Sequence, residues 1–200
     1  FSAAEAWVVG RSAAYLREHG PVGARDFWTL ELLERNGIDC YFSGCLTLTL
    51  RRPDLPRGDT VIASDLDPQT LAALRARTGS PVTTVTHEVP RSLSTAKRMA
   101  LAQDLLDCYA GARCVVTTRL HAALPCLAMG TPVLLLPPRP DMIRLSGLID
   151  LVHHESPDSF IEGGRYRPDR PPPNPALHVP IAEALRARCE AFIDAESAPR

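Results

Sequence analysis

Five consecutive residues, Thr117-Thr118-Arg119-Leu120-His121, bring together the side chains that an anion-handling site needs. A guanidinium makes paired, charge-assisted hydrogen bonds to phosphate or carboxylate. An imidazole exchanges a proton near neutral pH. The two threonines add hydroxyls. Their place in the chain matters as much as their types. Cys114 to Thr118 reads as a strand, and Leu120 to Met129 as a short helix closed by Gly130. The run therefore sits at a strand-to-helix junction, where free helix amides attract anions and open parallel sheets bind ligands. An arginine paired with a surface carboxylate and a histidine capping the helix would fit the same spacing, so residue types alone leave both roles open.

Two further junctions carry polar candidates. Arg25-Asp26 precedes a helix from Phe27 to Asn36; Asp26 is suited to cap it, and Arg25 can pair with Asp26 or meet an anion. His87-Glu88 ends a strand that begins at Val82, where it can hold sugar hydroxyls, tune a proton, or serve as an ordinary polar strand end. Ser43-Gly44-Cys45 follows a strand from Ile38 to Ser43; Gly44 permits close backbone approach, and no histidine lies near Cys45 in sequence to activate its thiol.

The elements that must position these residues follow from periodicity and punctuation. Residues 3–18 show helical spacing at Ala6, Val9, Ala13 and Leu16, ended by His19-Gly20-Pro21. A small β-α-β pattern runs from Val22 to Ser43. Arg51 to Asp59 is polar and proline-containing and reads as a linker. Beyond it strands and helices alternate: Thr60–Ser64, a helix from Asp67-Pro68 to Arg77, Val82–Glu88, a long helix Leu93–Ala110, Cys114–Thr118, the helix to Met129, a strand Pro132–Leu136 and a helix Asp141–Leu151. Repeated β-α units predict an α/β fold, with a Rossmann-like parallel sheet flanked by helices. Residues 155–177, with Pro171-Pro172-Pro173, read as a loop without a core of its own, and Pro180 to Ala195 as a final amphipathic helix. This organisation places the end of one lobe in residues 1–52, a second lobe in 58–152, a proline-rich loop in 153–179 and the last helix in 180–195.

Bulk properties set limits. The 200 residues are 45% hydrophobic and 22% charged, and 22 basic against 23 acidic residues give a net charge of −1. No polycationic surface points to nucleic acid or anionic lipid, so an anion site must be local. Six cysteines without a CxxC pair read as reduced thiols rather than a zinc site. No basic-then-apolar leader and no apolar run of the ~20 residues of a membrane span are present, so a cytoplasmic location is expected. Dinucleotide, P-loop, nucleophile-elbow and HExxH motifs are absent.

Two blocks taken together resemble the polysaccharide pyruvyl transferase family. One is Gly20-Pro21-Val22-Gly23-Ala24-Arg25-Asp26 with Tyr41-Phe42-Ser43-Gly44-Cys45-Leu46-Thr47-Leu48-Thr49-Leu50; the other is Thr117 to Val133. The resemblance covers about residues 10–150. It implies two Rossmann-like lobes as in GT-B glycosyltransferases. It also implies transfer of a pyruvyl group from phosphoenolpyruvate, a co-substrate rather than a cofactor, to a sugar as a cyclic ketal. Arg119 and His121 match the family's Arg-Leu-His segment, associated with phosphoenolpyruvate, and Arg25 matches the basic residue of an Arg-Asp segment. The resulting expectation makes His121 the general acid or base. Arg25, Thr118, Arg119, Leu120 and His87 become substrate-binding residues. The chain begins inside the family's first lobe, so an exposed sheet edge and a homodimer, or dependence on a preceding segment, are expected. Two other readings fit the same fold: a GT-B glycosyltransferase using a nucleotide-sugar, disfavoured by the lack of an acidic pair for ribose, and a non-catalytic sugar-binding relative.

Overall fold

The computed structural model describes residues 5, 8, 11–138 and 143–197. Ala6 and Val9 of the expected first helix, and the start of the helix expected from Asp141, lie outside the described residues. Two compact units divide the chain. One draws on the stretch ending at Thr49, the stretch ending at Leu148 and the chain from Val179. The other takes Leu50–Pro140 and Ile149–His178.

In the first unit, α1 (Arg11–Glu18) leads into β1 (Val22–Ala24), α2 (Phe27–Arg35) and β2 (Cys40–Phe42). The strands pair in parallel, with Val22 opposite Cys40 and Ala24 opposite Phe42. Asp26 caps α2, its carboxylate accepting from the Thr29 amide at 2.9 Å and the Thr29 hydroxyl at 2.8 Å. The apolar faces meet around Val8, Ala24, Leu33 and Ile38. A 3-10 turn, Leu46–Thr49, packs against the C-terminal helix α7 (Val179–Ser197). There Arg186 Nη2 donates to the Thr49 carbonyl at 2.8 Å. Gly44 has a φ of +64°, and a Cβ at that position would lie 2.8 Å from Ile181 Cγ2, so the turn admits no larger residue.

The second unit is a five-stranded sheet, all parallel, in the order β4-β3-β5-β6-β7: β3 is Val61–Ser64, β4 Val82–Val85, β5 Cys114–Thr117, β6 Val133–Leu135 and β7 His153–His154. The intervening helices are α3 (Pro68–Ala76), α4 (Thr95–Gly111), α5 (Leu120–Ala128) and α6 (Pro157–Ile161). Asp67 and Ser94 cap α3 and α4. β3, β5 and β6 are buried throughout, as apolar strands covered on both faces must be. Alternation then sorts their side chains. Ile62, Val115, Val133 and Leu135 pack with Tyr109, Ala122 and Cys126 on one face. Val61, Ala63, Val116 and Leu134 pack with Leu74, Phe160 and Tyr166 on the other. The chain leaves β3 for β4 on one side and then crosses back to β5 on the other. The carboxyl ends of β3 and β5 therefore flank the switch point of the sheet, the place where such folds open a ligand crevice.

Two stretches differ from expectation. The helix expected over Asp141–Leu151 is instead two 3-10 turns, Ile143–Leu145 and Ile149–Leu151. Gly147, at φ +77°, breaks the run between them. Residues 155–177 do contribute core: α6 buries Phe160 completely, and Tyr166 is nearly buried. The physical reason is one side chain from another element. Arg77, just past α3, donates to the carbonyls of Phe160 (2.6 Å), Gly163 (3.2 Å), Gly164 (3.2 Å) and Tyr166 (2.9 Å). Its guanidinium also lies 4.3 Å from the centre of the Phe160 ring. Further on, the Asn174 amide bridges to the Thr131 carbonyl (2.7 Å) and the Val133 amide (3.1 Å), serving as a strand neighbour would. An irregular segment is thereby satisfied without a ladder. Phe160→Ala is expected to destabilise the second unit by about 3–5 kcal/mol through the cavity it leaves, measured by urea denaturation.

Candidate active site

The carboxyl ends of β3, β4 and β5 deliver three short polar runs to one end of the sheet: Ser64-Asp65, Thr86-His87-Glu88 and Thr117-Thr118-Arg119. Asp65 ties them together. Its backbone turns into the left-handed region at φ +54°, which aspartate tolerates better than most side chains. The Asp65 amide still bonds to the Val85 carbonyl at 3.1 Å, and its carbonyl accepts from the Thr118 hydroxyl at 2.9 Å.

The Asp65 side chain is only 9% exposed and collects donors from two strands. Thr86 Oγ1 donates to Oδ1 at 2.6 Å, His87 Nδ1 donates to Oδ2 at 2.7 Å, and the His87 amide adds a longer bond at 3.2 Å. Arg119 Nε donates to Oδ2 at 3.1 Å. Burial alone would raise the Asp65 pKa, but the hydrogen bonds from Thr86 and His87 and the Arg119 charge outweigh it, so the carboxyl is held below its ordinary value. Behind His87 lies a buried pair: the Tyr109 hydroxyl is 3.3 Å from Nε2 and 3.0 Å from Ser64 Oγ. Burial drives the Tyr109 pKa well up, so this phenol stays protonated. The result is a continuous chain from the interior outward: Ser64 and Tyr109, His87, Asp65, Arg119.

The residues singled out in the sequence now have definite surroundings. Arg119 is half-exposed, and its Nη2 reaches the exposed Glu88 at 3.2 Å. It occupies the N-cap position of α5 without a side-chain capping bond, its own amide bonding to Thr117 Oγ1 at 3.0 Å. Leu120 packs against the core cluster beneath. Exposed His121 is in the first turn, and Pro125 four residues on has no N–H to give its carbonyl. Thr118 serves Asp65, and both His87 ring nitrogens face protein groups. Arg25 belongs to the other unit, where its Nη2 lies 3.3 Å from both Asp26 Oδ2 and the Arg144 carbonyl. The structure thus gathers Thr118, Arg119 and His87 around Asp65. Sequence reasoning passed over Asp65, Ser64 and Tyr109. The available signal was an Ser-Asp pair ending the apolar run Val61-Ile62-Ala63, next to the capping Asp67-Pro68.

A parallel α/β unit whose switch point carries an arginine at an uncapped helix start is the kind of domain that handles phosphorylated or carboxylated ligands. The model of the polysaccharide pyruvyl transferase family matches residues 5–139, and the chain belongs to that family of transferases. No curated protein and no solved structure matches it. The family assigns a role in pyruvyl transfer, with a sugar as acceptor. Among the described residues no helix is long and apolar enough to cross a membrane.

The network makes a prediction about acid. Because the Asp65 pKa is lowered by folding, its contribution is fully present above the unfolded value of about 3.9 and is lost as pH falls through the lower folded value. The stability gap between the native chain and Asp65→Asn is therefore expected to be widest near neutrality and to close below about pH 3.9, as read from urea denaturation at a series of pH values.

Proposed function

We propose that this transferase takes its pyruvyl group from phosphoenolpyruvate, bound at the start of α5, and delivers it to two hydroxyls of a sugar as a ketal. The observation that carries this reading is the uncapped first turn of α5, with Arg119 at its N-cap and exposed His121 one residue into the helix, in a chain of this family. The amides of Leu120 and His121 and the Arg119 guanidinium suit a phosphate or carboxylate. Arg25, in the family's Arg-Asp segment, is assigned as a further substrate-binding residue. Thr118 and His87 support the donor site from just beyond the ends of β5 and β4.

The chemistry balances without a redox step. A proton is added to the methylene carbon of phosphoenolpyruvate, making the methyl group and an electron-poor C2. One sugar hydroxyl attacks C2 and loses its proton. The second hydroxyl then displaces inorganic phosphate, which carries away the remaining proton. His121 is assigned the proton transfer to carbon or from the first hydroxyl.

Calorimetric titration tests the donor: saturable phosphoenolpyruvate binding, abolished in Arg119→Ala, is expected, with a nucleotide-sugar giving no heat. Saturation by the nucleotide-sugar instead would favour glycosyl transfer. His121→Asn is expected to lower turnover by about 10²-fold or more while leaving thermal stability within a degree or two; unchanged turnover would remove His121 from the mechanism.

A further inference from the structure

Resting on the phosphoenolpyruvate reading above, we infer that Asp65 is the positioning residue of the donor site: it clamps the Nε edge of Arg119, so that the Nη1/Nη2 edge is presented to the anion. A guanidinium offers two edges for paired hydrogen bonds. Asp65 Oδ2 takes Nε at 3.1 Å, which removes the side-on edge from use. The end-on edge remains, contested among the described residues at Nη2 by a Glu88 side chain that is 81% exposed. A pair that open to water is weak and gives way readily to a dianionic phosphate.

Asp65 is itself held in a way that a bystander carboxylate is not. Its backbone occupies a left-handed conformation, an outlier of the type that is kept where the surroundings demand it. Thr86 and His87 fix both of its oxygens, and Tyr109 and Ser64 hold the His87 ring from the buried side. Its carbonyl secures Thr118, the residue before Arg119. Asp65 thus holds the two side chains that lead into α5, Thr118 through its carbonyl and Arg119 through its carboxylate. In this arrangement His87 acts on Asp65 and not on the sugar.

Charge gives the idea a sign that a bystander role would not share. Asp65 is a negative group beside an anion site. If it acted only through its charge, removing that charge would tighten phosphoenolpyruvate binding. If it positions Arg119, removing the charge loosens binding. Asp65→Asn is the suitable variant, because asparagine also tolerates a positive φ.

Two measurements on the full chain decide the matter. In the ligand-free protein, the ¹⁵N-resolved Nε–H signal of Arg119 is expected to exchange slowly with water, and to exchange fast in Asp65→Asn while Arg113, bonded to Asp59, is unaffected. In calorimetry Asp65→Asn is expected to weaken phosphoenolpyruvate binding about tenfold, the worth of one charge-assisted hydrogen bond. An Arg119 signal indifferent to the substitution, or binding that is unchanged or tighter, overturns the inference. If the native chain binds no phosphoenolpyruvate, the donor assignment fails, and the Arg119 signal still judges the clamp. Should Asp65→Asn not fold, Thr86→Val and His87→Gln keep the Asp65 charge but loosen its hold; protection of Arg119 Nε–H that survives both would overturn the clamp equally.

Discussion

A single carboxylate, Asp65, is shared by a histidine just past β4 and an arginine from the start of α5, and it joins three strand ends that the topology merely brings near one another. A charge this little exposed is costly unless it is surrounded by donors, and here it has Thr86, His87 and Arg119. Those donors are themselves placed by the parallel register. Ser64 stands opposite Val85 on one side and Thr117 on the other, so the residues that follow each strand emerge at the same level. Without that register the three polar runs would be separate surface features.

The sequence carried much of this. Apolar runs such as Val61-Ile62-Ala63 and Val133-Leu134-Leu135 announce strands buried on both faces, and Asp26 and Asp67 announce helix starts. The junction from Thr117 to His121 was legible because it combined a strand, a helix and two titratable side chains. Asp65 was not. In sequence it is one acid beside another, and Asp67 has an obvious task as the cap of α3. Only the crossing of the chain over β3 brings Asp65 against residues more than 20 and 50 positions away. Order of strands in a sheet is a tertiary fact, and no local pattern encodes it.

The same limit explains residues 155–177. Prolines and polar residues there suggested a segment with nothing to bury, yet Phe160 is fully enclosed. Irregular backbone can enter a core when some other group pairs with its carbonyls, and Arg77 meets four of them. Asn174 does similar service beside β6. In both cases the enabling residue is remote in sequence. The two 3-10 turns around Gly147 differ from a helix for another reason: apolar spacing over Asp141–Leu151 suits a helix, and one glycine at positive φ is enough to divide it.

The interleaving of the two units has a consequence for how the chain reaches this state during synthesis. Every strand and helix of the second unit lies between Leu50 and His178. That unit can close on its own contacts as soon as α6 and the segment through Asn174 have left the ribosome. The first unit cannot. Its turn at Leu46–Thr49 waits for α7, and the bond from Arg186 to Thr49 spans 137 residues. Closing so long a loop through a flexible chain is slow, but the loop is already collapsed into a folded unit by then, which shortens the effective distance and lowers the entropic cost. Within the first unit, the turn at Leu46–Thr49 is thus completed only after the second unit's sequence has been made and α7 has followed it.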